Sequence, residues 1–194
     1  MFTTVSFMRY CKKLSILFAL ILVSAYVFAA SSSVEIKGAE LQPVDDYYKL
    51  TAKVDIVFDE AIEEAVNKGV PLNFLVEFQV VTPRKYWFDD EIVTVSTSYV
   101  LSYHALTRQY IVSHEGRQST YETLSEARQD LMEIDDWKVL EKARIEKGEV
   151  YKAALLMRLD QNKLPQALQV EAIGSESWNL TSQKFEWFPK ELNK

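Results

Sequence analysis

Apolar and polar side chains alternate along four long stretches of the chain, and this alternation limits the fold more than any other feature of the sequence. It is clearest over residues 47–58, where Tyr, Leu, Ala, Val, Ile and Phe occupy every second position. The same pattern recurs over residues 72–80, 93–103 and 151–159. A period of two places the apolar side chains on one face of a β-strand. The sequence therefore predicts antiparallel sheets, each with one buried and one wet face.

Five shorter segments are also strand candidates: 33–41, 109–114, 136–141, 168–173 and 178–187. Two other segments have helical spacing instead. Asp59 can cap a short helix that Gly69 ends, and Thr123 with Glu126 forms a T-x-x-E capping box before a second helix. We expect an all-β fold with minor α content, an antiparallel β-sandwich (immunoglobulin-like or similar) with two short helices. An open β-barrel is the alternative.

The first 29 residues have the three-part pattern of a secretory signal peptide. Arg9, Lys12 and Lys13 precede an apolar run over 14–28, and Ala29 supplies the small residue before the expected cleavage site. We expect cleavage after Ala29, which leaves residues 30–194 as a single β-rich domain. The alternative is that the segment stays as an N-terminal membrane anchor. The expected location is periplasmic or secreted, and under the alternative the domain is anchored to the membrane on its outer side.

Export would change both the charge and the cysteine content of the protein. The chain has 22 basic and 28 acidic residues, and removing the three leader cations leaves 19 against 28, a net charge of −9. An acidic domain lacks the basic surface that nucleic acids and anionic lipids require. The lone cysteine, Cys11, lies in the leader, so the domain has to be stabilised by apolar burial without disulfides.

Most catalytic chemistries lack their residues in this sequence. There is no G-x-S-x-G motif, the glycines are scattered singly, and His104 and His114 are the two histidines of the chain. These two can approach each other across one hairpin but are too few for a metal site. We therefore predict no catalytic residues, no cofactor and no metal.

The carboxylates Asp89, Asp90 and Glu91 directly follow the aromatic residues 86–88. Carboxylates beside aromatics occur in glycosidases, so a glycan hydrolase is one alternative. A charged hairpin turn flanked by core aromatics is the preferred interpretation. The four tryptophans are expected to pack in the core or at its rim, and two or more of them exposed together would mark an interaction surface: Trp87, Trp137, Trp178 and Trp187.

A predicted hairpin over residues 101–114 carries the first candidate for an interaction surface. Its tyrosines Tyr103 and Tyr110 lie near Arg108, and Trp87 is the fourth candidate residue. Arginine can stack on tyrosine in such a surface.

Several motifs spread over residues 69–182 resemble a family of exported bacterial proteins known as domain of unknown function 4390. The most specific is L-S-Y-H-A-L-T-R-Q-Y over 101–110, and the others are G-V-P-L at 69–72, R-K-Y-W-F-D at 84–89, S-T-Y-E-T-L at 119–124, the segment from Tyr151 to R-L-D at 158–160, L-P-Q-A-L-Q-V at 164–170 and S-W-N-L-T-S at 177–182. The resemblance implies a secreted single domain, and genes of such proteins are often found near a membrane sensor histidine kinase. It implies no activity and no catalytic residues.

Together these observations predict a non-catalytic binding or interaction module of the cell envelope. Its expected partner is an envelope protein, with a sensor histidine kinase as one candidate. A carrier of a small ligand and, less favoured, a glycan hydrolase using Asp89, Asp90 or Glu91 are the alternatives.

Overall fold

The structure is a computed structural model that describes residues 31–193, apart from the side chain of Glu171. The predicted signal peptide lies outside these residues. Residues 31–193 contain nine β-strands, three α-helices and two single-turn 3₁₀ helices. No helix within this part of the chain has both the length and the apolar character needed to cross a membrane.

The strands range from three to fifteen residues in length. They are β1 (Ser33–Val44), β2 (Tyr47–Val57), β3 (Leu72–Thr82), β4 (Asp90–His104), β5 (Gln109–His114), β6 (Arg117–Tyr121), β7 (Glu133–Glu141), β8 (Lys152–Leu159) and β9 (Phe185–Trp187). The helices are α1 (Glu60–Asn67), α2 (Leu124–Leu131) and α3 (Gln166–Ala172), and the 3₁₀ turns are Lys142–Arg144 and Gln161–Lys163.

All strand pairs are antiparallel, and they form two sheets of unequal size. The smaller sheet has the order β1-β2-β7 and the larger has the order β6-β5-β4-β3-β8-β9. Among the strands of residues 31–193, none pairs from one sheet to the other. The predicted antiparallel sandwich is thus confirmed, and its strands do not close into the alternative barrel.

The alternating residues of the four long stretches face one another between the sheets. Leu50 and Ile56 of β2 and Phe74 and Phe78 of β3 are fully buried. The ring of Phe78 meets Trp137 of β7 edge-on at 6.4 Å, a contact that joins the two layers. Burial of each such side chain contributes about 2 kcal/mol, which is how a domain without disulfides holds its layers together.

Both predicted helices are present with their predicted caps. The Asp59 side chain accepts a hydrogen bond from the Ile62 amide at 3.0 Å, and Gly69 follows α1 with a φ of +90°. The Thr123 and Glu126 side chains each accept from the other's backbone amide at 3.2 Å, which completes the capping box of α2.

The strand predicted over 168–173 is wrong, because this segment forms the helix α3. The Pro165 carbonyl accepts hydrogen bonds from the Leu168 and Gln169 amides and so starts a helical turn. The alternating apolar residues that suggested a strand do not share a face, since Val170 is exposed and Ala172 is buried. Of the strand predicted over 178–187, only β9 and an isolated bridge at Thr181 form.

Unequal layers leave part of the large sheet uncovered by strands. Helix α2 packs against β5, β6 and β7 and covers part of the inner face that the small sheet does not reach. The fold therefore leaves two kinds of surface open to solvent, the loops beyond the sheet ends and this thinly covered side.

Candidate functional site

The fifteen-residue strand β4 separates the candidate residues into two groups. The β3–β4 loop, residues 83–89, holds Trp87 at one end of β4, and the turn 105–108 with its flanking tyrosines lies at the other. At the rise of an antiparallel strand, about 3.4 Å per residue, the two ends are about 48 Å apart. Trp87 therefore does not share a surface with Tyr103, Arg108 and Tyr110.

At the turn end, the two tyrosines are engaged within the fold. Tyr103 and Tyr110 face each other across β4 and β5 with ring centroids 4.9 Å apart. The Tyr110 hydroxyl donates a 2.6 Å hydrogen bond to the Asn67 side chain of α1. Burial, followed by the neighbouring Tyr103 and Glu63, raises the pKa of Tyr110. Arg108 is exposed in the turn and has a φ of 56°.

At the other end, three consecutive aromatic side chains stand in solvent. Tyr86, Trp87 and Phe88 are 84%, 80% and 95% exposed. The Lys85 ammonium lies 5.6 Å from the centre of the Tyr86 ring. We call residues 83–89 the aromatic loop. Single exposed aromatics are ordinary on a protein surface, but three contiguous ones are not.

Polar contacts close the base of the aromatic loop. The Arg84 amide donates to the Asp89 carboxylate at 3.1 Å, and the Arg84 guanidinium forms an ion pair with Asp90. The Asp89 carboxylate also lies 3.7 Å from the Lys152 ammonium on β8. These contacts join residues on both sides of the three aromatics, so the backbone presents the rings at the tip of the loop.

A groove of about 420 Å³ lies between the aromatic loop and the outer face of the large sheet. Its volume is within the range of small-ligand sites. Trp87 and Phe88 form one wall, the sheet forms the floor, and charges of both signs lie around the rim. The other lining residues are Gln79, Val81, Asp89, Glu91, Lys152, Ala154 and Lys184.

The three candidate carboxylates have different surroundings. Asp90 forms an ion pair with the Arg84 guanidinium, and Asp89 accepts a hydrogen bond from the Arg84 backbone amide. Glu91 accepts a hydrogen bond from the Gln79 side-chain amide at 3.3 Å. Asp89 and Glu91 line the groove, whereas Asp90 does not.

The histidines lie on the two arms of one hairpin but do not meet. His104 pairs with Gln109, while His114 pairs with Tyr99, five residues back along β4. This offset separates them by about 17 Å. Within residues 31–193 no three His, Cys, Asp or Glu side chains are placed to hold a metal ion.

The expectation that tryptophans pack in the core or at its rim is correct for three of the four. Trp137 and Trp178 are buried and Trp187 is half-buried, but for Trp87 the expectation is wrong. The sequence reasoning also missed Tyr86 and Phe88 as surface residues. The one available signal was their position between oppositely charged runs, R-K before them and D-D-E after them, which is typical of a solvated turn.

One of three comparisons with known proteins finds a match, and it agrees with the resemblance noted in the motifs. The comparisons with curated proteins and with solved structures find no significant match. The family model described as a domain of unknown function, DUF4390, matches residues 31–188, which is most of the chain. The protein is therefore a member of the DUF4390 family.

Proposed function

We propose that this protein is an exported, non-catalytic interaction module of the cell envelope, and that the aromatic loop is the centre of its binding surface. The observation that carries the proposal is the exposure of Tyr86, Trp87 and Phe88 on a loop whose base is held by ion pairs and a hydrogen bond. Tyrosine and tryptophan are the residues most enriched among interface hot spots.

Leaving these rings in water has an energetic cost that a partner can recover. Burial of each large aromatic side chain is worth about 2 kcal/mol. The fixed loop base also lowers the ordering cost of binding, because less backbone freedom is lost when the partner arrives.

A protein partner fits this surface better than a membrane. The rings are bordered by Asp89, Asp90 and Glu91 as well as by Arg84 and Lys85. A mixed-charge rim around an aromatic centre is typical of protein interfaces. An anionic bilayer would be repelled by the acidic rim and by the net charge of −6.

The signal-peptide pattern supports a periplasmic or secreted location, so the partner we propose is an envelope protein. The family resemblance adds one candidate, the outer domain of a membrane sensor histidine kinase. Neither proposal needs catalysis by the domain.

In-cell photo-crosslinking of the full-length protein tests the proposal. A photoreactive phenylalanine analogue is placed at position 88, and irradiated adducts are identified by mass spectrometry. The matched control carries the same analogue at position 106, because Leu106 is 92% exposed in the turn at the opposite end of β4. We expect a specific envelope protein to be captured from position 88 and not from position 106.

Two results would overturn the proposal. One is the capture of the same proteins from both positions, which would indicate random collision. The other is the recovery of lipid adducts alone from position 88, which would indicate a membrane contact.

The groove favours one second candidate, a carrier of a small ligand held beneath Trp87 and Phe88. The core residues Phe74, Leu101 and Leu155 are fully buried within one cluster, so such a ligand would bind at the groove and not between the sheets. Quenching of tryptophan fluorescence by envelope extracts, lost in Trp87→Phe, would support this candidate.

A further inference from the structure

A second site lies on the thinly covered side of the large sheet, away from the aromatic loop. A cleft of about 250 Å³ opens between the inner face of β4–β6 and the adjoining ends of α2 and β7. We call it the acidic cleft. The sheet side contributes Tyr99, His114 and Arg117, and the opposite side contributes Asp130, Glu133, Asp135 and Asp136.

The charges of the cleft are not balanced within the fold. Asp136 is neutralised by Lys49, whose ammonium lies 3.0 Å from its carboxylate. In the part of the chain that the structure describes, Asp130, Glu133 and Asp135 have no cation at ion-pair distance. Arg117 is the one cationic residue among the lining residues, so the cleft keeps a net negative charge.

Tyr99 supplies an observation that is independent of the acidic residues. Its side chain is only 5% exposed, and its ring stacks on His114 with centroids 3.9 Å apart and planes 2° apart. Its hydroxyl has no hydrogen-bond partner among residues 31–193. Every side-chain nitrogen or oxygen that is completely buried in this part of the chain does have a partner, so the Tyr99 hydroxyl oxygen is not completely buried. The hydroxyl oxygen must therefore open onto the cleft that Tyr99 lines.

The surroundings of this hydroxyl favour its neutral form. Burial raises the pKa of Tyr99 to about 12, and the negative charges of Glu115, Asp130 and Asp135 add to the rise against the opposing Arg117. A neutral phenol beside carboxylates can accept a hydrogen bond from a cation that the carboxylates attract.

We propose that the acidic cleft binds an organic ammonium or guanidinium group, held between Asp130 and Asp135 with a hydrogen bond to the Tyr99 hydroxyl. The volume admits the end of a linear amine or one basic side chain. A metal ion is the weaker candidate, since within residues 31–193 no three ligating side chains converge. The site is separate from the aromatic loop and does not depend on the function proposed for it.

Calorimetric titration of the full chain with 1,4-diaminobutane at an ionic strength of about 0.1 M, where charges are screened beyond about 10 Å, tests this site. The neutral isostere 1,4-butanediol serves as the ligand control. We expect Asp130→Asn and Asp135→Asn each to raise the Kd about fivefold, and Tyr99→Phe to raise it about threefold. Asp45→Asn is the matched control variant, because it removes one carboxylate from the distant β1–β2 turn and should leave the Kd unchanged.

Two sources of the amine can be separated with a second probe, the blocked tripeptide acetyl-Gly-Lys-Gly-amide. Tighter binding of the peptide would assign the site to a basic side chain of a protein, and tighter binding of the diamine would assign it to a free amine. The proposal is overturned if butanediol binds as tightly as the diamine, if calcium displaces the diamine at lower concentration, or if the cleft variants behave like Asp45→Asn. An absence of any diamine binding would also overturn it.

Discussion

Three aromatic side chains lie near each end of β4, but only one of the two sets packs against the core. At the turn end, Tyr103, Tyr110 and Tyr121 form a row across β4, β5 and β6 on the inner face of the large sheet. All three are partly buried against the core. At the loop end, Tyr86, Trp87 and Phe88 are at least 80% exposed.

The difference follows from the backbone and not from the side chains. In the tyrosine row, each residue belongs to a strand ladder, so the pleat fixes which face its ring occupies. In the aromatic loop, consecutive residues lie outside any ladder, and no period assigns them to the core. Equal aromatic content therefore stabilises the fold at one end and remains available for a partner at the other.

Removing one ring from each end tests this comparison most directly. We expect Tyr103→Ala to lower the free energy of unfolding by about 3 kcal/mol, because it deletes a half-buried ring and its contact with Tyr110. Tyr86→Ala should change it by less than about 0.5 kcal/mol, as for most surface positions. Urea unfolding followed by circular dichroism measures both values. Equal losses would remove the distinction between the two ends.

The reverse contrast is expected for binding. The double variant Trp87→Ser, Phe88→Ser should weaken capture of the envelope partner by about tenfold or more, since hot-spot aromatics typically carry over 1 kcal/mol each. Its unfolding midpoint should match that of the native protein. Leu106→Ser, at the opposite turn, is the control and should retain full binding. Normal binding by the double variant would show that the partner does not bind at the aromatic loop.

The sequence was sufficient to predict the strands that bury one face. In β2 the buried residues alternate along the whole strand, and in β3 and β8 the alternation is interrupted only at Val80–Val81 and at Ala153–Leu155. The edge strand β6 could not be predicted in this way, since its residues Arg117–Thr120 are all exposed and leave no apolar period. Strand β6 forms because β5 offers it a free edge for hydrogen bonding, which is a tertiary cause.

The candidate site was less predictable than the fold, for a related reason. The sequence marked Trp87 as an aromatic residue near charges but could not say whether another element would cover it. The acidic cleft was also missed, because its residues belong to five successive elements, β4 to β7 with α2, and only the packing of α2 and β7 against β4–β6 brings them together. Its existence depends on the unequal size of the two sheets, and no local pattern encodes that inequality.

A smaller effect is expected from the hydrogen bond that anchors the tyrosine row. Tyr110→Phe removes the 2.6 Å bond to Asn67 while it keeps the ring. We expect a loss of about 1 kcal/mol in the free energy of unfolding. Asn67→Ala and the double variant complete a cycle whose coupling energy isolates the bond. A coupling energy near zero would mean that ring packing alone holds the turn end.

The smallest expected change in stability concerns the base of the aromatic loop. Arg84 is half exposed, and such surface ion pairs contribute about 0.5 kcal/mol, so Arg84→Ala should barely alter unfolding. Its effect should instead appear as faster amide hydrogen exchange across residues 84–89 and as partner binding weakened about threefold, because the freed loop loses more entropy on binding. Arg84→Lys keeps the charge but not the guanidinium geometry, so its exchange rates and its binding should lie between those of the native protein and those of Arg84→Ala. Unchanged exchange in Arg84→Ala would show that the contacts of Asp89 are enough to hold the loop, and that the Arg84 side chain does not prepare the aromatic tip for a partner.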